Sequence, residues 1–194
     1  MRTGLFGGTF DPVHAAHLIA AERVRDQMDL DRIVFIPAGI PPHKSPRQIS
    51  SGQDRLAMTR LAIFGNPRFF CSDFEIRKQG FSYTRQMIEW FRTDPSWNKD
   101  TLFLIIGADS LLDLHTWHDP EFILDAVEIL VMNRPGYDWT RVDSTVLERV
   151  SLVETPLVDL SSSEIRSRVR DGRSIRYMVP EKVEEYIFQR KLYL

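Results

Sequence analysis

Short, nearly uninterrupted apolar runs alternate with amphipathic stretches along the chain, and this rhythm limits the fold more than any other feature. Thr3 to Gly7, the β-branched run Ile33-Val34-Phe35-Ile36, Phe69-Phe70-Cys71, Leu102 to Ile106 and Ile129 to Met132 read as strands. Pro37 stops the second run and Gly107 the fourth. Leu18 to Met28, Ser51 to Phe64, Tyr83 to Arg92, Ser163 to Val169 and Glu181 to Gln189 read as helices, with Leu56, Leu61 and Phe64 as apolar anchors of the second. A strand that is apolar at every position is buried on both faces, which is the habit of parallel sheets. The expected architecture is therefore α/β: a Rossmann-like parallel sheet with helices on both faces, right-handed crossovers and a small C-terminal helical portion. No repeat, low-complexity tract or linker interrupts the 194 residues, so a single domain over 1–194 is expected.

Ligands of such sheets bind beyond the carboxyl ends of the strands. The stretches that follow strands are Gly7 to His17, Pro37 to Lys44, Gly107 to His118 and Asn133 to Gly136, and these also have the unusual compositions. Composition narrows the ligand. With 25 basic and 27 acidic residues the chain is nearly balanced, which argues against coating nucleic acid or an anionic membrane but leaves room for a local phosphate site. Cys71 is the lone cysteine, so an internal disulfide and a cysteine-rich zinc site are both excluded, and it reads as a small buried hydrophobe. The N-terminus lacks the apolar core of a signal peptide, and no apolar run reaches membrane-span length. A soluble cytoplasmic protein is expected, with neither nucleic acid nor membrane as partner.

The opening stretch Gly4-Leu5-Phe6-Gly7-Gly8-Thr9-Phe10-Asp11-Pro12-Val13-His14-Ala15-Ala16-His17 sits between a strand and a helix. Glycines there admit close backbone approach, with N–H groups turned to an anion. The pattern is neither G-x-G-x-x-G nor a P-loop. His14 and His17 share one face of a helical turn, where two imidazoles can donate to phosphate oxygens. Blander readings stand beside this one: Gly7-Gly8 as a tight turn, and the histidines as partly buried polar groups or zinc ligands. Zinc needs a third ligand that no H-E-x-x-H motif or cysteine pair supplies, although His115 and His118 repeat the spacing. Near the end, Ser161-Ser162-Ser163-Glu164-Ile165-Arg166 fits a capping box, and a capped helix N-terminus is also an anion site.

Together these two stretches resemble the nucleotidylyltransferase superfamily, whose signatures are G-G/S-S/T-F-D-P followed by H-x-G-H or T-x-G-H, and later S-S-S/T-x-I/V-R. Ala16 is a departure, standing where that family has glycine. Pro41-Pro42-His43-Lys44, Ser82-Tyr83-Thr84, Ile106-Gly107-Ala108-Asp109, Trp117 and Asn133-Arg134-Pro135-Gly136 are similar to the bacterial nicotinate-nucleotide adenylyltransferases, and the resemblance spans the whole chain.

The resemblance implies transfer of the adenylyl group of ATP to nicotinate mononucleotide, giving deamido-NAD and pyrophosphate in NAD biosynthesis. It implies direct attack of the 5′-phosphate on the α-phosphorus, with no covalent intermediate and no dedicated general base. His14, His17, Lys44 and Arg166 are the implied catalytic residues. On the ATP side would stand Gly7, Gly8, the N–H groups of Thr9 and Phe10, then His14, His17, Gly107, Asp109, Arg134, Ser162, Ser163 and Arg166. Asp109 would take ribose hydroxyls, or serve only as a helix cap. On the nicotinate-nucleotide side would stand Lys44, Tyr83, Thr84, Trp117 as the ring platform, and His118, whose backbone would share the carboxylate with Thr84. The family usually has tyrosine or a similar residue at 118. Mg2+ is implied with ATP as substrate, and no protein metal ligand is named. A homo-oligomer stays open. The alternatives are a phosphopantetheine adenylyltransferase, preference for the amide nucleotide, and a nucleotide sensor without catalysis.

Overall fold

In the computed structural model, which describes residues 1–40, 49–78, 80–133 and 137–194, alternate residues of each central strand bury in opposite directions. Leu102, Leu104 and Ile106 enter one core, and Phe103 and Ile105 enter the other. That is the period of two expected of a strand covered on both faces, and it explains why the run is apolar at every position.

Among the described residues the strands are β1 (Arg2–Gly8), β2 (Arg32–Pro37), β3 (Phe69–Cys71), β4 (Thr101–Gly107), β5 (Glu128–Asn133) and β6 (Val150–Glu154). They form one sheet, all neighbours parallel, in the order β3-β2-β1-β4-β5-β6. The helices are α1 (Ala15–Gln27), α2 (Gly52–Ala62), α3 (Phe74–Arg77), α4 (Thr84–Thr93), α5 (Ala108–Leu112), α6 (Pro120–Ala126), α7 (Ser144–Leu147), α8 (Ser162–Arg170) and α9 (Glu181–Gln189). One face of the sheet is covered by Ala21 and Val24 of α1, Met58 of α2, Ile165 and Val169 of α8 and Val183 and Ile187 of α9. The other is covered by Met87, Ile88 and Phe91 of α4, Leu111 of α5 and Ile123 of α6. The C-terminal helical portion therefore belongs to the same core as α1 and α2.

Two expectations need correction. The sequence reading has no sixth strand. Val150-Ser151-Leu152-Val153-Glu154 lies at the sheet edge, where only Val153 is buried and Leu152 is exposed, so the run lacks the continuous apolar character of the inner strands. Phe64 is no anchor: α2 ends at Ala62, and the Phe64 ring is exposed beneath the Lys182 ammonium, 3.7 Å from the ring centre. The helix starts where expected, with Ser51 Oγ accepting from the Asp54 N–H at 3.1 Å.

This strand order places the site. The chain moves outward from β1 through β2 to β3, then returns to the other side of β1 to lay down β4. The connections leaving β1 and β4 thus part in opposite directions, and a crevice opens at their carboxyl ends. Gly7 and Gly8 end β1, and Gly107 ends β4.

Candidate active site

Three cavities meet along this crevice. A 270 Å³ cavity is lined by His14, Ala16, His17, Gly107, Ser161 and Ser162. A 210 Å³ cavity is lined by Gly7, Gly8, Glu75, Thr84, Gly107 and Trp117. A 630 Å³ cavity is lined by Tyr83, Thr84, Asp109, Ser110, Trp117 and His118. Gly107 is common to the first two, and Thr84 and Trp117 to the last two.

The two glycines of β1 have different jobs. A Cβ built on Gly7 meets nothing within 4 Å, so this position is bare floor. A Cβ on Gly8 would lie 2.8 Å from the Phe10 ring, so Gly8 is small because Phe10 packs on it. Phe10 turns the chain with φ of 50°, a left-handed conformation that costs a bulky residue free energy. Burial of its ring among Phe6, Phe35 and His17 offsets that cost.

The histidines act as a pair. His14 is the N-cap of α1 and is buried. The two rings stack at 3.7 Å between centroids and 26° between planes. The backbone N–H of His14 donates to Nδ1 of His17 at 3.2 Å. An accepting Nδ1 carries no proton, so the neutral His17 ring holds its proton at Nε2 and remains a donor there. The edge of Phe10 packs on the same ring, 5.1 Å between centroids.

The late signature docks directly on the early one. Ser161 caps α8, its Oγ accepting from the Glu164 N–H at 3.1 Å. Ser162 Oγ donates to the Pro12 carbonyl at 2.9 Å. Arg166 Nη1 donates to the Asp11 carbonyl at 2.8 Å and Nη2 to Ser163 Oγ at 3.2 Å. The N-termini of α1 and α8 therefore face the same cavity, and each brings the positive end of a helix dipole. Of the expected capping box the Ser161–Glu164 N–H bond is present, and Ser161 and Ser162 line the cavity at the same helix end.

On the other side, Thr84 opens α4 and Tyr83 precedes it as N-cap. Trp117 is half-buried: it packs on the core below while lining two cavities above. Arg85 of α4 pairs with Asp119, which holds the Trp117-His118 segment against α4. His118 is exposed, and its ring tilts over Tyr83 at 5.0 Å. Asp109 lies in the first turn of α5, whose N-cap is Gly107, and lines the Trp117 side of the crevice. His115 faces a separate cavity with Pro120 and Glu121, so the two histidine pairs do not converge. Among the described residues no three His, Cys, Asp or Glu side chains cluster as metal ligands. Lys44 and Arg134 lie outside the described residues. Cys71 is half-buried, and burial pushes its thiol up to about 12, which disfavours the nucleophilic thiolate.

Sequence reasoning missed three buried polar groups beneath the crevice. Arg55 of α2 is 1% exposed and donates to three carbonyls: Ser50 at 3.1 Å, Thr9 at 2.9 Å and Gly39 at 2.8 Å. Asp11 is 2% exposed; its carboxylate accepts from Tyr193 Oη at 2.7 Å and from the Ser50 N–H at 3.1 Å. Glu75 is 4% exposed in the 210 Å³ cavity, and its Oε2 has no hydrogen-bond partner among the described residues. Burial pushes the Glu75 carboxyl above the usual carboxylate range, against the opposing pull of Ser82 and Lys78. Only Asp11 carried a signal, as part of the opening motif; Arg55 read as a charge on a helical stretch, and Glu75 fell between the expected strand Phe69–Cys71 and the expected helix Tyr83–Arg92, where the structure adds the short helix α3.

The cytidylyltransferase-like family model matches residues 5–168. A protein of Thermomicrobium roseum named "probable nicotinate-nucleotide adenylyltransferase" is 43% identical over 198 residues, covering 99% of this chain and 91% of that protein. A protein of the same name from Salinibacter ruber is 43% identical over 194 residues, covering 100% of this chain and 98% of that one. The solved nicotinic acid mononucleotide adenylyltransferase of Plasmodium falciparum, complexed with NaAD, superposes with a TM-score of 0.79 at 17% identity, covering 99% of this chain and 97% of that one. That likeness concerns the fold. The two signatures, the sheet order and the full-length identity agree: the chain belongs to the cytidylyltransferase-like family and, within it, to the nicotinate-nucleotide adenylyltransferases, which are nucleotidyltransferases.

Proposed function

We propose that this protein transfers the adenylyl group of ATP to nicotinate mononucleotide, releasing pyrophosphate and forming deamido-NAD in the cytoplasm. One observation carries the reading. A crevice half built of helix N-termini and imidazoles meets, at Gly107, a half built of an indole and hydroxyls. The first half suits a polyphosphate and the second a small aromatic ring with a polar substituent.

The chemistry asks mostly for positioning and charge stabilisation. An oxygen of the nicotinate nucleotide's 5′-phosphate forms the new bond to the α-phosphorus of ATP. The bond from that phosphorus to the bridging α–β oxygen breaks, and pyrophosphate leaves with the electron pair. The attacking phosphate is already ionised, so no side chain has to remove a proton. Bare floor at Gly7 and Gly107 lets the two phosphates come together. His17 donates from Nε2 to the α-phosphate and His14 to its neighbour, while Phe10 and Thr9 offer backbone N–H groups. One of the five Arg166 donors holds the Asp11 carbonyl of the loop and one bonds Ser163 of its own helix, which leaves three for the departing pyrophosphate. Magnesium enters as the MgATP substrate, held by phosphate oxygens and water.

Trp117 stacks on the pyridine ring. The nicotinate carboxylate sits at the N-terminus of α4, against Thr84 and the backbone at His118, where N–H donors suit a carboxylate and repel an amide N–H₂. Ala16 narrows the adenosine side by one methyl group without closing it.

The test is pyrophosphate release with MgATP and, in parallel, nicotinate mononucleotide, nicotinamide mononucleotide or phosphopantetheine, with products identified by mass. Deamido-NAD formed fastest supports the reading. Faster turnover of another acceptor moves the specificity, and no turnover with any acceptor overturns the reading in favour of a sensor.

A further inference from the structure

Four of the five carbonyl oxygens from Gly8 to Pro12 are occupied from outside the loop. Gly8 accepts from the Ala38 N–H at 2.8 Å, Thr9 from Arg55 at 2.9 Å, Asp11 from Arg166 at 2.8 Å and Pro12 from Ser162 at 2.9 Å. A loop whose carbonyls are held away presents its N–H ends on the opposite side, since C=O and N–H of a trans peptide point in opposite directions. Within this loop the cis bond is Asp11–Pro12, so the trans Thr9–Phe10 unit obeys this rule.

Arg55 differs from the other donors because it is fully enclosed. Its three carbonyl bonds span the β1–α1 loop, the end of β2 and the start of α2. Asp11 supplies the nearby opposite charge, and Asp11 is itself fixed by Tyr193 and Ser50. No ligand can reach a guanidinium this buried, so Arg55 can serve the site only through the peptides it holds. A planar fork can span three carbonyls; a lysine ammonium cannot do so from the same place.

We propose that Arg55 is a positioning residue for the anion cradle: it draws the Thr9 carbonyl inward and so turns the Phe10 N–H outward, toward the polyphosphate. The inference rests on the phosphate-cradle reading above. The left-handed turn at Phe10 lies in the same loop, directly after the peptide that Arg55 holds.

The test uses Arg55→Lys, with Ile123→Val on the far side of the sheet as a control for stability loss alone. Inorganic pyrophosphate is titrated into 15N-labelled protein while the Phe10 amide resonance is followed. KM is then measured for ATP and for nicotinate mononucleotide. The expected result is a Phe10 shift in the wild type that is lost in Arg55→Lys. KM for ATP should rise at least tenfold in that variant, KM for the nicotinate nucleotide should change less than threefold, and the control should change neither. Retention of both the shift and the ATP KM in a folded Arg55→Lys overturns the role of Arg55 and leaves the cradle standing. A wild-type Phe10 amide that ignores pyrophosphate removes the cradle itself and this inference with it. If Arg55→Lys does not fold, a crystal structure of the wild-type pyrophosphate complex decides. Phe10 N on the ligand with Thr9 O still on Arg55 supports the proposal, and a Thr9 carbonyl facing the ligand overturns it.

Discussion

Gly7 and Gly8 are adjacent and identical, yet an added methyl group should do opposite things at the two positions. At Gly8 the new Cβ would lie 2.8 Å from the Phe10 ring, which is itself 2% exposed and wedged against Phe6 and Phe35. The ring cannot retreat without moving its neighbours, and such overpacking costs about 1–3 kcal/mol. Replacing glycine by alanine where φ is negative returns about 0.4–1 kcal/mol through the unfolded chain. The net effect of Gly8→Ala then runs from about zero to a loss of about 2.6 kcal/mol, or a Tm lowered by up to about 10 °C in a domain of this size. At Gly7 the methyl meets nothing within 4 Å, so the unfolded-state gain stands alone and Tm should hold or rise by about 1–3 °C. The same methyl occupies crevice floor, and a misfit of that size at a reacting centre should lower kcat/KM by about 10- to 200-fold. Thermal melts and steady-state kinetics on both variants, with and without ATP, make the comparison. A Gly7→Ala protein that melts early with normal kinetics would overturn this distinction, as would a Gly8→Ala protein that melts above Gly7→Ala.

Three further outcomes are expected. His17→Ala should lose most of kcat while ATP binding, measured calorimetrically, weakens only moderately, because a donor at the α-phosphate acts mainly where charge develops; near-wild-type turnover removes His17 from the mechanism. Trp117→Ala should raise KM for nicotinate mononucleotide more than KM for ATP, and equal changes would mark the indole as core alone. Glu75→Gln should alter the dependence of stability on pH: burial raises the native carboxyl above its ordinary value of 4.5, so the folded state keeps a proton that the unfolded chain has released. The stability linked to that proton is present in full below 4.5 and is lost as pH rises through the raised native value. Urea midpoints should therefore show the variant gaining on the wild type as pH rises, and parallel curves would count against a buried, proton-holding Glu75.

The inner strands were legible because a strand covered on both faces must be apolar at consecutive positions, as in Leu102 to Ile106. The edge strand β6 escaped because burial on one side asks for one deeply buried residue, Val153, among Ser151 and Glu154. In the crevice, residue types pointed to phosphate chemistry before the fold was in view. The histidine spacing and the Ser161 cap both appear in the structure as expected. What the sequence could not separate was Gly7 from Gly8, since their difference lies in what an absent Cβ would touch. Nor could it find Arg55: an arginine between Asp54 and Leu56 reads as a solvated charge on an amphipathic helix, and only tertiary packing encloses it beneath three carbonyls. Trp117 divides the question of core or ligand platform between its two faces.

In the proposed reaction the acceptor phosphate attacks the α-phosphorus directly across the Gly7–Gly107 floor, with no enzyme-bound adenylate between. The stereochemical course at that phosphorus tests this most directly. A single diastereomer of ATP bearing sulfur on the α-phosphate is supplied with nicotinate mononucleotide, and the configuration of the thio-dinucleotide product is assigned by phosphorus NMR. One in-line displacement predicts inversion. Retention would require two displacements and a covalent intermediate on a protein side chain, and would contradict the mechanism drawn from this crevice.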